Sequence, residues 1–416
     1  MSIRPFNALL FLVVIVFLSV AVLVPSVPGM AGLAESRAEQ RDIDWSSRLG
    51  QLSSPGPDDV VMTAIGDAIW TRKVSSIADE RLQSIFNVTR TADIAFQNLE
   101  EALADSGYPN PKAVAKADPS IVDEFEWAGI DVVATANNHL MDFGVSGMET
   151  AFRTLEDRDI AQSGAGHNLA EALRPAFIES KGLRFAFLAF LAASDMGPLL
   201  APPAGEDTAG VAPIRGSEIR LPNGEVVISP WAQDLAAMEN AIRSAKEEAD
   251  FVAVSFHIHW GERGEIDPTG KQLFARAAID AGADLILGHG PHLLNGIEIY
   301  RGKPILYSIG HFFIQLSIPA FDLFPDIQRL IVESVYGDDQ FSESVLVRTV
   351  IGPDARIKRL ELLPVELSEQ GDPYFASDEM ADKIIDRLTT LSEPLGTRIA
   401  RESWYAVVDL DGSLQH

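Results

Sequence analysis

The chain is 416 residues long, with 47% hydrophobic, 22% charged and 8% aromatic residues, a globular composition that excludes a disordered, collagen-like or coiled-coil protein. It contains no cysteine, so disulfide frameworks, zinc–thiolate sites, iron–sulfur clusters and cysteine nucleophiles are excluded, and a metal site must use His, Asp, Glu and Asn. Against 33 Lys and Arg stand 60 Asp and Glu, a formal net charge of −27 that repels phosphate backbones and excludes nucleic acid as an expected partner. The acids are scattered rather than blocked, which fits solubility in a salty medium; a specific cationic partner is the other explanation.

The N-terminus carries Arg4, then an apolar run from Ala8 to Val24 broken only by Ser19, then Pro25, Pro28 and the small-x-small triplet Gly29-Met30-Ala31. This is the pattern of a secretory signal peptide over residues 1–31. The run is also just short of the roughly 20 residues that span a bilayer, so an uncleaved membrane anchor is the alternative. Either way the rest of the chain is expected outside the cytoplasm, periplasmic or anchored to the outer face of the cytoplasmic membrane. Residues 32–57 are polar and end in Ser53-Ser54-Pro55-Gly56-Pro57, which predicts a linker.

From Asp59 the pattern changes to short apolar strands alternating with helices. Strands are predicted at 59–65, 93–99, 131–135, 185–191, 251–256 and 284–287, with helices over 121–128, 235–248 and 272–281. A run of strands follows at 297–300, 305–309, 329–334, 345–350 and 357–363. Alternating units followed by strands argue for a layered α/β domain with a mixed sheet. The Pro- and Gly-rich stretch Met196–Pro230 reads as a long insertion near the site. A helix over 379–391 and a strand over 405–410 close the chain. This divides it into the N-terminal segment, the linker, a domain over 58–365 and a C-terminal helix and strand extension, 366–416, that packs on the domain.

Four of the eight histidines, His257, His259, His289 and His292, follow two predicted strands closely, and His139 follows a third in Asn137-Asn138-His139. Strand ends are where α/β folds place their sites. Asp67 and Glu100 end the first two strands, and Asn138 offers an amide oxygen. Helix N-capping is the structural alternative for both acids. Imidazole, carboxylate and amide oxygen together suit manganese, iron or zinc. No Gly-x-Ser-x-Gly elbow adjoins a strand and no phosphate-binding Gly-x-x-x-x-Gly-Lys-Ser/Thr loop exists, which excludes serine-hydrolase and nucleoside-triphosphate chemistry.

The ordered motifs make a more specific pattern. Gly66-Asp67 with Arg72, Asn98-Leu99-Glu100, Asn137-Asn138-His139 with Asp142 and Gly144, and Gly164-Ala165-Gly166 resemble the CapA family of poly-γ-glutamate capsule biosynthesis, related to the calcineurin-like metallophosphoesterases. So do His259-Trp260-Gly261-Glu262, Gly282-Ala283-Asp284, Gly288-His289 with Pro291-His292, and Tyr307-Ser308-Ile309-Gly310. The resemblance implies a four-layer α/β/β/α metallophosphoesterase-like sandwich with mixed sheets and two divalent ions at the strand ends. It implies Asp67, Glu100, Asn138, His259, His289 and His292 as metal ligands, and Asn138 with His139 as the catalytic pair, His139 protonating the leaving group. It also implies Arg72, His257 and Glu262 as substrate-binding residues. Two departures stand out: Ile69 occupies the place of a phosphoesterase histidine, and Gly290 replaces a usual family histidine. His311 stands where the motif commonly has asparagine, and either it or His257 could compensate.

The implied function is extracytoplasmic capsule or poly-γ-glutamate biosynthesis with a metal-dependent hydrolase centre. The expected partners are an anionic polymer or phosphoester substrate and membrane-bound polymer synthase subunits. A periplasmic phosphatase or phosphodiesterase unrelated to polymer synthesis, and a non-catalytic polymer-binding subunit, are the alternatives.

Overall fold

Parallel strands need crossovers, and the helices in those crossovers cover a sheet's outer face. In the computed structural model two mixed sheets are built this way and face each other. It describes residues 43–105, 116–194, 201–223, 226–259, 270–315 and 339–412. The signal or anchor segment and the strand expected at 329–334 lie outside these residues. The chain divides into two units, Met1–Asp44 and Trp45–His416, and the fold is that of the second.

The first sheet opens with β1 (Val60–Ile69), β2 (Ile94–Leu99), β3 (Val132–Ala134) and β4 (Ala161–Ser163), all parallel neighbours. The second contains β5 (Leu183–Ser194), β6 (Pro213–Arg220), β7 (Val226–Pro230), β8 (Phe251–His257), β9 (Leu285–His289), β10 (Ile297–Tyr300) and β11 (Lys303–Leu306). Its order is β7-β6-β5-β8-β9-β11-β10. The chain then returns to the first sheet through β12 (His311–Ile314), β13 (Glu343–Ile351), β14 (Ile357–Leu367), β15 (Ile399–Glu402) and β16 (Tyr405–Val408). That sheet runs β15-β16-β14-β13-β1-β2-β3-β4, with β12 pairing in parallel beyond β13 along β1.

The helices α1 (Trp45–Leu49), α2 (Glu80–Arg90), α3 (Val122–Ala128), α4 (Gly144–Glu156), α5 (Ala232–Glu248), α6 (Lys271–Ala281) and α7 (Asp378–Ser392) complete the layers. On the outer face of the first sheet, Trp70 stacks on Phe313 at 4.2 Å and contacts Phe86 of α2 and Phe125 of α3. On the outer face of the second, Leu188, Phe190, Val252, Val254 and Phe256 join Met238 and Ile242 of α5 and Phe274 and Ala278 of α6 in one core. Between the sheets Phe96 of β2 stacks on Phe187 of β5 with ring centroids 6.1 Å apart. The expected α/β/β/α sandwich with mixed sheets is therefore the observed architecture. Among the described residues no helix is long and apolar enough to cross a membrane.

Aspartates at strand entries explain part of the chain's acidity. Asp93, before β2, accepts from the Val61 amide at 2.8 Å, and Asp131, before β3, from Ala95 at 2.7 Å. Asp250 and Asp284 do the same for Arg184 and Val252 in the second sheet, at 2.8 and 2.9 Å. Each carboxylate satisfies an amide at the entry to a neighbouring strand, a donor that is costly to leave unpaired inside a protein.

Two expectations need correcting. Residues 45–57 are not free linker: Trp45 is buried, stacked on Phe375 at 4.9 Å and edge-on to Trp404 at 5.6 Å. Beyond it, the Ser53 amide donates to Glu361 at 3.1 Å, and Arg348, itself paired with Glu361, donates to the Ser53 carbonyl. A polar composition hid one aromatic anchor whose partners lie more than three hundred residues away. The stretch expected as an insertion instead supplies β6 and β7, a hairpin that extends the second sheet along β5. The C-terminal part is integral to the first sheet, where β16 pairs with Glu361 and Leu362 of β14.

Trp45→Ala should lower stability by about 3–5 kcal/mol, the usual cost of emptying a buried aromatic site. Urea denaturation checks this, and an unchanged midpoint would mean that the N-terminal segment does not hold its place.

Candidate metal centre

Side-chain parity brings the site residues together. In β8 and the residues after it, Val254, Phe256 and Ile258 point to the helix-covered core. His257 and His259, one position out of step, therefore face the first sheet. In β9 Ile286 joins the same core, while His289 meets Phe96 of the first sheet at 5.9 Å between ring centroids. The C-terminal ends of β1, β2, β8 and β9 thus converge between the sheets.

Asp67 sits at the centre of this convergence and is fully buried. Its Oδ1 accepts from Asn98 Nδ2 at 2.8 Å and lies 3.3 Å from His289 Nδ1. Its Oδ2 accepts from the Gly290 amide at 3.0 Å and lies 3.2 Å from His292 Nδ1. Burial opposes its ionisation, but the surrounding imidazoles outweigh this and hold the carboxyl well below the usual carboxylate range. Glu100 is equally buried, and neither of its carboxylate oxygens has a hydrogen-bond partner. Its Oε1 stands 3.5 Å from both His257 Nε2 and His292 Nε2. Burial, then the charges of Asp67 and Glu101, raise its carboxyl well above the usual range. Neither acid caps a helix, so the N-capping alternative falls away.

His257 is 1% exposed, its Nε2 is 3.0 Å from His259 Nε2, and its Nδ1 is 3.1 Å from Asn98 Nδ2. Burial and its neighbour His259 push this imidazole well below its usual range, so it is neutral and has a lone pair to offer. Asn138 Oδ1 is 3.5 Å from His259 Nε2. The His292 and His311 rings stack at 4.0 Å, 5° from parallel, and Phe341 closes over His311 edge-on at 4.7 Å.

Donor atoms of Asp67, Glu100, His292 and His311 all lie within 4.8 Å of one another, as do those of Glu100, His257 and His259. Glu100 belongs to both groups. Carboxylate and imidazole atoms that converge this closely, with both Glu100 oxygens and both His311 nitrogens buried without a hydrogen-bond partner, suit a divalent transition ion, so the residues fit such an ion.

His139 is placed at the edge of this cluster on the loop after β3. The Asn137 side chain organises that loop, accepting from the amides of His139 and Leu140 at 3.0 Å each and donating to the Leu99 carbonyl at 2.5 Å. His139 Nδ1 bonds Asp142 Oδ2 at 2.8 Å, which fixes the ring and leaves Nε2 available to a ligand. In the sequence Asp142 stands out only as part of a motif, and its i, i+3 spacing from His139 on a tight turn is the one local signal of its role.

The residues expected to bind substrate are placed as follows. Arg72 is committed to Asp372 at 2.6 Å and to the Gln370 carbonyl at 3.0 Å, held there by Gln315, which accepts from the Thr71 and Arg72 amides. His257 lies inside the donor cluster rather than beside a substrate pocket. Glu262 lies outside the described residues. The departures also find physical reasons. Ile69 is buried in register with Ile314. Gly290 has φ +108°, and a Cβ there would come within 2.9–3.0 Å of the Ile258 backbone, so a side chain is excluded where the amide must reach Asp67.

Fold and site together define an α/β/β/α protein with an imidazole–carboxylate centre at its strand ends. The family model of the bacterial capsule synthesis protein PGA_cap matches residues 61–315, and the chain belongs to this family. It is 31% identical to the PGA biosynthesis protein CapA of Bacillus subtilis, over 86% of this chain and 84% of that one. An uncharacterized protein of Sinorhizobium fredii is 29% identical over 87% of this chain and 95% of its own. The capsule biosynthesis protein CapA of Bacillus anthracis is 28% identical over 61% and 59%.

Gly66 makes the approach of β1 to the site possible, because a Cβ there would sit 2.0 Å from the Gly310 carbonyl oxygen. Gly66→Ala should therefore lower the denaturation midpoint and weaken metal uptake together. A variant as stable as wild type would contradict the close approach.

Proposed function

We propose that this protein is exported and acts in the assembly of an extracellular anionic polymer, poly-γ-glutamate or a related capsule, as a metal-dependent hydrolase. The observation that carries this reading is the buried Glu100 carboxylate, unpartnered between two groups of imidazoles. Asp67, Glu100, His257, His259, His289 and His292, with Asn138, would hold two divalent ions, Mn, Fe or Zn, sharing Glu100. When bound, such a pair supplies Lewis acidity to a phosphoryl or carbonyl centre and acidifies water.

The chain's own residues supply the rest. Asn98 donates to Asp67 and keeps that carboxylate oriented. Asp142 holds His139 Nδ1, so that Nε2 is the nitrogen that delivers a proton to the departing group. Asn137 fixes the loop carrying both Asn138 and His139. The −27 charge opposes an anionic substrate at long range, and bound cations would reverse that field locally. Membrane-bound polymer synthase subunits are the proposed partners, with the N-terminal segment directing export or holding the chain at the membrane's outer face.

His139→Ala should keep its metal and lose about 100-fold or more in turnover, the usual contribution of a positioned acid. The assay uses p-nitrophenyl phosphoesters and poly-γ-glutamate chains, with metal content read by plasma mass spectrometry. Loss of the metal would instead make His139 a ligand, and undiminished turnover would remove it from the reaction. A wild-type protein that binds no metal would support a polymer-binding subunit.

A further inference from the structure

We infer that His311 is a metal ligand on the Asp67 side of the centre, joining Asp67, Glu100 and His292 and supplying the donor that Ile69 cannot. This rests on the metal-centre reading above and names a ligand outside it.

The first observation is what His311 lacks. It is fully buried, and neither ring nitrogen has a hydrogen-bond partner. An unpaired buried polar group is costly, so an imidazole needing only to fill space would be replaced by an apolar side chain at no loss. Phe312 and Phe313, the next two residues, show that the strand accepts such side chains in its buried positions.

Register supplies the second observation. β12 runs parallel to β1 with His311 opposite Asp67, and a shift in the pairing after Asp67 brings Phe313 opposite Ala68 and Ile314 opposite Ile69. The position two residues beyond Asp67 is thus spent on the core, while the neighbouring strand presents its histidine at the level of the aspartate. Gly310, at φ +80°, lies just before it, where its carbonyl accepts from the Asp67 amide at 3.1 Å. The same backbone contact therefore fixes Asp67 and His311 relative to each other.

Geometry supplies the third. The parallel stack of His292 and His311 sets two imidazoles side by side at 4.0 Å. Donor atoms of both rings fall within 4.8 Å of those of Asp67 and Glu100.

The assignment has a chemical consequence. Two carboxylates and two imidazoles select a first-row transition ion such as zinc, whereas without His311 that group keeps one imidazole and moves toward the all-oxygen set of magnesium or calcium.

The test is zinc titration of the metal-stripped full domain and of His311→Ala and His311→Asn, with circular dichroism to verify folding. Wild type should take two equivalents; each variant should keep one and bind the second at least about tenfold more weakly, a loss seen even for outer-shell changes. Two equivalents at wild-type affinity in a folded variant would overturn the assignment and leave the metal centre standing. No uptake by wild type would overturn the metal reading itself. On the unmutated protein, a zinc anomalous peak about 2.0–2.1 Å from a His311 nitrogen would support the assignment, and a zinc peak beside Asp67 but outside bonding distance of His311 would overturn it.

Discussion

A carboxylate sealed between two sheets with no hydrogen bond to either oxygen is the constraint around which this molecule is arranged. Glu100 is in that position, where burial and then the charges of Asp67 and Glu101 oppose its ionisation. Removing such a group from water costs several kcal/mol unless a proton or a cation compensates. The side chains facing it, His257 and His292, are imidazoles that can share a cation with it. Divalent ions held in the two donor groups that share Glu100 would satisfy these atoms, and so the same side chains make a coherent ligand set.

The scaffold departs from ordinary backbone rules to bring them together. Gly66 passes so close to Gly310 that no side chain fits, Gly290 adopts a conformation reserved for glycine, and His292 sits at φ +62° without being one. Left-handed backbone at a non-glycine residue costs on the order of 1–3 kcal/mol and persists only where its surroundings demand it. All three lie within hydrogen-bond reach of, or next to, residues contacting Asp67. The rest of the sandwich, from the aspartates at the strand entries to the aromatic core around Trp70, holds these residues in place.

The strand-and-helix alternation was legible in the sequence because apolar runs at strand length are a local signal. Asp67, Glu100, Asn138, His259, His289 and His292 were legible because each follows such a run. His257 was visible too, and its i, i+2 relation to His259 puts both rings on one face, a parity argument available from Val254, Phe256 and Ile258 alone. The ion pair of Arg72 was not legible, since its partner Asp372 lies beyond the end of β14, three hundred positions later. Trp45 was hidden for the same reason, being one aromatic in a polar stretch with its pocket at the C-terminus. His311 carried an ambiguous signal until the register beside Asp67 gave it neighbours.

Because Glu100 belongs to both donor groups, the most direct test is the metal stoichiometry of Glu100→Gln beside wild type, each stripped and reloaded with zinc. The substitution keeps size and shape but removes the charge and the ability to bridge. The account predicts about two equivalents in wild type and loss of both tight sites in the variant. Retention of both at wild-type affinity would contradict it, because the buried carboxylate would then have no part in holding metal.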